Sequence, residues 1–183
     1  MKEKILVTGG AGFVGSHLVD ALVKRGYGVR ILDNLDPQVH GASQKLPTYL
    51  NKECQFIKGD VRDEKIFKKA IRGVDVIYHL AAVVGVGQSM YQIKKYIEVN
   101  TLGTAILLDL LVNIRNKVGK LIVASSMSIY GEGSYKCTEC GFVYPKLRPD
   151  KQLEQRIWEM FCPCCGKKAK PFPTPEDKVL HPT

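Results

Sequence analysis

Acidic side chains are in short supply in this 183-residue chain, 18 against 27 lysines and arginines. Tryptophan occurs once, and no long hydrophobic run is present. The last absence excludes most. A membrane-spanning helix needs about 20 consecutive apolar residues, and the apolar stretch from Val76 to Gly87 is short and interrupted by His79. No membrane partner is expected. Met1-Lys-Glu-Lys4 leads directly into an apolar strand, which argues against a cleaved signal peptide. The expected setting is therefore cytoplasmic and reducing. The shortage of acid leaves a net charge of +9. That charge suits phosphate-bearing ligands or nucleic acid, but the lysines are scattered as on a solvated surface.

What is present starts at the N-terminus. Ile5 to Val7 reads as a short buried strand, and after a glycine cluster a helical pattern follows, with Phe13, Val14, Leu18, Val19 and Leu22 on one side. Between them, Gly10-x-Gly12-x-x-Gly15 has the spacing of a dinucleotide-binding turn. The first glycine makes the tight turn, the second admits a pyrophosphate, and the third lets helix and strand pack closely. The helix N-terminus offers free N–H groups to that anion. Gly9, Gly12, Phe13, Val14 and Gly15 are thus candidate cofactor contacts. A second strand, Val29 to Asp33, ends on an acid placed to take both ribose hydroxyls of an adenosine. A carboxylate there repels a 2′-phosphate, so NAD is favoured over NADP. The plainer reading of Asp33 is a loop carboxylate followed by Asn34.

Further along, strands and helices alternate. Gln55 to Lys58, Val74 to His79 and Leu121 to Ala124 read as strands. Asp63 caps a helix through Ile66, Phe67, Ala70 and Ile71, and one long helix is expected from Tyr96 to about Asn116. This rhythm predicts an α/β fold, a Rossmann-type doubly wound parallel sheet with right-handed crossovers. Ligands bind at the carboxyl ends of such strands, where Gly9 to Gly15, Asp33, Asp60, Ala81 and Ser125-Ser126 all fall.

Six segments in order carry a resemblance: Thr8-Gly-Gly-Ala-Gly-Phe-Val-Gly15, Ile31-Leu-Asp-Asn34, Gly59-Asp-Val61, His79-Leu-Ala-Ala82, Glu98-Val-Asn-Thr-Leu-Gly-Thr104 and Ser125-Ser-Met-Ser-Ile-Tyr-Gly131. Through about residue 133 the chain resembles the extended short-chain dehydrogenase/reductases, in particular their NAD-dependent sugar-nucleotide epimerases and dehydratases. The resemblance implies that Asp60 and Val61 hold the adenine, that Ala81 and Ala82 line the pyrophosphate and nicotinamide ribose, and that Asn100 steadies the site. Ser125 and Asn34 complete the implied cofactor contacts. The alanines are also what tight strand packing wants, and Asn100 could simply bond helix backbone.

By the same resemblance, Ser126 is the catalytic candidate. It would hydrogen-bond the substrate hydroxyl being oxidised on a nucleoside-diphosphate sugar. The implied partner is a tyrosine in Tyr-x-x-x-Lys, whose phenol the lysine brings toward neutrality. Tyr91-Gln-Ile-Lys-Lys95 is the one such match, but it precedes the fifth strand and reads as coincidence on a solvated face. The proline-containing stretch 171–183 is of the type that leads into the catalytic tyrosine, so the chain is expected to be truncated just before it. A homodimer is left open, since only the first of the helices flanking the fifth strand is present.

Residues 134–170 interrupt this pattern. Cys137-x-x-Cys140-Gly and Cys162-x-x-Cys165-Gly have the spacing of a structural zinc site. A small zinc-ribbon insertion is therefore expected, between a Rossmann domain at 1–133 and a return segment at 171–183. Disulfides are disfavoured by a reducing setting, and a redox pair is the other alternative. Cys164 is spare and Cys54 stands alone. Lys136, Lys146, Arg148, Lys151, Arg156, Lys167, Lys168 and Lys170 cluster here with Tyr144, Trp158 and Phe161, a nucleic-acid footprint in outline. Glu139, Asp150, Glu154 and Glu159 dilute it, and nucleic acid is not the expected partner. A lid, a specificity element or a subunit contact are the roles in view.

Overall fold

The computed structural model describes residues 3–180. It falls into two compact units, Met1–Ala124 and Ser125–Thr183. Residues 171–180 fall in the same unit as the four clustered cysteines.

In the first unit, β1 (Lys4–Thr8), β2 (Gly28–Asp33), β3 (Gln55–Lys58), β4 (Val76–His79) and β5 (Lys120–Val123) form a parallel sheet in the order β3-β2-β1-β4-β5. Because strand side chains alternate between faces, β1 supplies both cores. Leu6 joins Leu32, Phe67, Ile71, Ile77 and Leu107 on one face. Ile5 and Val7 join Val19, Leu22, Val29 and Ile31 on the other. Burying each such side chain contributes about 1.5–3 kcal/mol, and coverage of both faces explains why the strands are apolar almost throughout. The strand order reverses beside β1, so the loops after β1 and β4 part and open a crevice at the carboxyl rim.

The helices are α1 (Phe13–Lys24), α2 (Pro37–His40), α3 (Glu64–Ile71), α4 (Val86–Ser89), α5 (Ile93–Tyr96) and α6 (Gly103–Asn113). The Asp63 carboxylate accepts the Ile66 N–H at 3.1 Å and caps α3. Buried Arg30 of β2 donates to the Ala70 and Arg72 carbonyls at the other end of α3, where the helix dipole favours a cation. The structure corrects two expectations. The long helix from Tyr96 is divided: a π-helical turn, Ile97–Leu102, separates α5 from α6. It ends at Asn113, and the Asn116 amide closes it on the Leu111 and Ile114 carbonyls. In α1, Gly15, Val19 and Leu22 are buried, whereas Phe13 and Val14 are 82% and 65% exposed. Those two lie in the first turn, at the crevice rather than over the sheet.

The second unit opens with a 3₁₀ turn, Met127–Tyr130. Strands β6 (Ser134–Cys137), β7 (Gly141–Val143), β8 (Met160–Phe161) and β9 (Lys168–Phe172) form an antiparallel sheet in the order β7-β6-β9-β8, with α7 (Asp150–Glu154) between β7 and β8. Its buried core is Tyr135, Cys137, Val143, Met160, Cys162 and Ala169. Lys136, Phe142 and Lys170 lie exposed on the opposite face, and Phe142 packs edge-on against Phe172 at 4.8 Å. Exposed Lys167 and Lys168 pair with Glu139 and Glu159, which reduces the positive field of this unit.

Candidate functional site

The turn after β1 is shaped by contacts no larger residue tolerates. Gly9 has a φ of +68°, and a Cβ there would lie 2.9 Å from the Ala81 backbone. A Cβ on Gly15 would strike the Gly9 carbonyl oxygen and stand 2.7 Å from the Gly10 Cα. The Gly12 N–H donates to the Gly9 carbonyl at 3.1 Å. Helix α1 has neither a side-chain cap nor an acid in its first turn, so its leading N–H groups and positive dipole end are left for an anion. The Tyr49 hydroxyl donates to the Ala11 carbonyl at 2.7 Å and steadies the turn from outside.

Asp33 at the end of β2 is held at both oxygens. Oδ2 accepts the Ala11 N–H at 3.0 Å and Oδ1 the Leu35 N–H at 2.9 Å. Each oxygen keeps a further lone pair for a diol. The His40 ring stands 3.9 Å from Oδ1 with its side chain buried. Asp60 follows β3, and Arg62 grips it through Nε at 2.9 Å and a second nitrogen at 2.8 Å, with the Asn34 amide at 3.0 Å. The Arg62 hydrogen bonds hold the Asp60 carboxyl down at about 2. Asp60 is thus an anion committed to Arg62 and Asn34.

A buried relay ties the two loops together. Thr8 Oγ1 accepts the Leu80 and Ala81 N–H groups, both at 3.1 Å, so its own proton goes to His79 Nδ1 at 2.9 Å. Thr104 donates to the Asn100 carbonyl at 2.7 Å, and therefore accepts from His79 Nε2 at 3.2 Å. This order assigns His79 as the neutral Nε2–H tautomer. Asn100 closes the chain with a two-way amide contact to Val83, at 2.9 and 3.0 Å.

Burial pushes the His79 pKa below its ordinary 6.5. The unfolded chain binds the proton more readily, so the stabilisation is complete above about pH 6.5. It is lost as pH falls through the depressed folded value. Thermal melts between about pH 8 and 5 should show Tm falling below that point. The decline should be shallower in His79→Gln; an identical slope would assign it to another group.

One cleft of about 340 Å³ is lined by Gly9, Gly12, Phe13, Val14, Gly15, Asp33, Asn34, Asp60, Val61, Ala81 and Ala82. Asn100 lies behind it on Val83. Ser125 and Ser126 belong to the second unit, where Ser126 Oγ accepts the Ser128 N–H at 3.1 Å and caps the 3₁₀ turn. The cleft also includes His40, Arg62 and Lys95. Lys95 pairs with Asp36 at 3.3 Å and is not on a fully solvated face, whereas Tyr91 is 72% exposed. Asp36-Pro37, a cap followed by an N1 proline, is a sequence signal that could have found α2, a helix not expected above. It places His40 near Asp33. No comparable signal marks the Thr8–His79 relay.

In the second unit the Sγ atoms of Cys137, Cys140, Cys162 and Cys165 all lie within 4.8 Å of one another. Cys54 and Cys164 are outside the cluster. The backbone N–H groups of Cys165 and Cys164 favour the Cys162 thiolate, while bonds to neighbouring sulfurs push the Cys140 thiol up.

The comparisons with known proteins run across both units. The model of the NAD dependent epimerase/dehydratase family matches residues 5–149. The dTDP-L-rhamnose 4-epimerase of Burkholderia thailandensis is 34% identical over 178 residues, covering 94% of this chain and 49% of its own length. The UDP-glucose 4-epimerase of Neisseria meningitidis serogroup C is 38% identical over 132 residues, 71% of this chain and 38% of its own. Among solved structures, the Thermotoga maritima UDP-glucose 4-epimerase with UDP-glucose aligns with a TM-score of 0.64 at 30% identity. It covers 98% of this chain and 45% of that one. The Thermus thermophilus UDP-glucose 4-epimerase complexed with NAD aligns at 0.61 and 34% identity, over 81% and 43%. The chain spans less than half the length of these relatives. A glycine turn, an acid ending the second strand and a family match that takes in every strand of the parallel sheet but for Lys4 lead to one conclusion: the chain belongs to the NAD-dependent epimerase/dehydratase family, within the extended short-chain dehydrogenase/reductases.

Proposed function

We propose that this chain is the NAD-binding part of a nucleoside-diphosphate-sugar epimerase. The observation that carries the reading is the cleft itself, in which an open helix N-terminus, a two-lone-pair carboxylate at Asp33 and close-packed glycines line one wall. These residues fit a dinucleotide. The α1 N-terminus neutralises its pyrophosphate, Asp33 takes the adenosine ribose, and Asp60 and Val61 border the adenine. Ala81 and Ala82, fixed through Thr8, line the nicotinamide end, with Asn100 bracing Val83. NAD bound there would supply the hydride acceptor, and in an epimerase the hydride donor again. Ser125 completes the cofactor contacts and Ser126 hydrogen-bonds the substrate hydroxyl. The thiolate cluster is read as a zinc site with a structural part, and the setting as cytoplasmic.

A second reading keeps the cofactor and changes the reaction. The UDP-N-acetyl-alpha-D-glucosaminuronate decarboxylase of Bacillus cytotoxicus is 37% identical over 134 residues, so dehydratase or decarboxylase chemistry shares these motifs. A third takes the chain as a binding module that turns nothing over.

Calorimetric titration of the purified 183-residue chain tests the cofactor assignment. One NAD per chain is expected, with no detectable turnover of UDP-glucose, because no Tyr-x-x-x-Lys follows Ser126 in this sequence. Absence of NAD binding would remove the reading. Robust turnover would show that the base lies elsewhere.

A further inference from the structure

The cysteine centre asks for more than a label. The described residues of the second unit, 125–180, bury a core of six side chains, two of them cysteines, and a unit of this size rarely folds on so little apolar area without a staple. The four sulfurs are gathered mutually rather than in bonded pairs: Cys137 and Cys165 stand 3.5 Å apart, and all four lie within 4.8 Å. A tetrahedral zinc–thiolate centre, with Zn–S about 2.3 Å, sets its sulfurs about 3.8 Å apart. Each pair sits on a matching turn. Cys137 ends β6, and Cys140 precedes Gly141 at φ +74°. Cys162 follows β8, and Cys165 precedes Gly166 at φ +70°. The N–H of Gly166 donates to the Cys162 carbonyl at 2.9 Å, closing the second turn. Soft thiolates exclude magnesium and calcium, and four of them leave no open position for catalysis.

The site joins the β6–β7 hairpin to the β8–β9 hairpin, and the β6–β9 pairing runs from there to the base of the unit. At that base Ser134 pairs with Phe172, and the Ser134 N–H donates to Thr174 Oγ1 at 3.1 Å. Buried Lys178 donates through Nζ to the Tyr130 carbonyl at 2.7 Å. Tyr130 ends the 3₁₀ turn that Ser126 caps. We infer that a structural zinc ion on Cys137, Cys140, Cys162 and Cys165 clamps the Ser126 turn to the returning segment, by holding together the two hairpins whose paired strands form that base. The consequence for the reaction rests on the reading of Ser126 given above; the metal site and the clamp stand without it.

The test uses the purified 183-residue chain. Metal analysis should give one zinc per chain, and cobalt(II) exchanged into the site should show thiolate charge-transfer and tetrahedral d–d bands. Cys162→Ser should weaken zinc by more than about 100-fold, beyond the usual effect of an outer-shell partner. Cys54→Ser and Cys164→Ser should retain it. Chelation should raise amide hydrogen exchange in β6, β9 and at Lys178, while β1, β2 and β4 stay protected. No bound zinc, an iron chromophore in its place, loss of zinc in the Cys54 or Cys164 variants, or exchange unchanged by chelation would each overturn the proposal. NAD titration of the same samples keeps the cofactor reading separate, because Cys162→Ser should still bind NAD through the cleft of the first unit, whose lining lies wholly within residues 9–99.

Discussion

Gly15→Ala is expected to abolish measurable NAD binding and to lower the melting temperature by several degrees. Its Cβ would strike the Gly9 carbonyl oxygen and stand 2.7 Å from the Gly10 Cα. Both obstacles are backbone, so helix α1 must move off the glycine turn as a body. Overpacking of this kind costs about 1–3 kcal/mol or more, and each kcal/mol is worth about 2–4 °C in a chain of this length. Binding should suffer further, because the element displaced is the helix N-terminus proposed to hold the pyrophosphate. Gly87→Ala is the control, since a Cβ there meets nothing within 4 Å and should leave both quantities unchanged. Calorimetry and thermal melts read the pair. Native NAD affinity in Gly15→Ala would show that the turn is not the pyrophosphate cradle.

Asp33→Asn is expected to weaken NAD by about 10- to 100-fold, the loss of a charge-assisted hydrogen bond of about 1.5–3 kcal/mol. An amide offers one acceptor oxygen where the carboxylate offers two, and both carboxylate oxygens already carry an N–H, from Ala11 and Leu35. The replacement must therefore turn an NH₂ group toward one backbone donor. NADP should lose less, because a neutral side chain no longer repels its 2′-phosphate, and the NAD-to-NADP preference should narrow. Separate titrations with the two cofactors measure this. An unchanged preference would place the ribose elsewhere.

The sheet was legible in the sequence because its signals are local. The apolar runs that become β1 to β5 end within two residues of where they were expected, and Asp63 caps α3 as its position before the apolar pattern suggested. Gly12 and Gly15 of the fingerprint, Asp33, Asp60 and the alanine pair gather at one cleft because strand ends in a parallel sheet share a rim, while Gly10 packs against Ile31. What the pattern missed depends on contacts far apart in the chain. Thr8 and His79 are 71 positions apart, and nothing in either neighbourhood tells that they share a proton. Phe13 and Val14 fit the helical periodicity but fall in the first turn, where that face has left the sheet for the crevice. The π turn at Ile97–Leu102 has no breaker residue to announce it; the run from Tyr96 onward reads as continuous helix.

The closed base of the second unit bears on ancestry. The chain enters β6 and leaves β9 as paired neighbours, and the Tyr130–Lys178 contact seals the same doorway. A segment with adjoining ends behaves as a cassette, which a lineage can gain, lengthen or discard without rethreading the parallel sheet. The dTDP-L-rhamnose 4-epimerase match, covering 94% of this chain, necessarily runs through that cassette, whereas the Neisseria UDP-glucose 4-epimerase match covers 71%. The history of the four-cysteine segment can thus be followed separately from that of the parallel sheet.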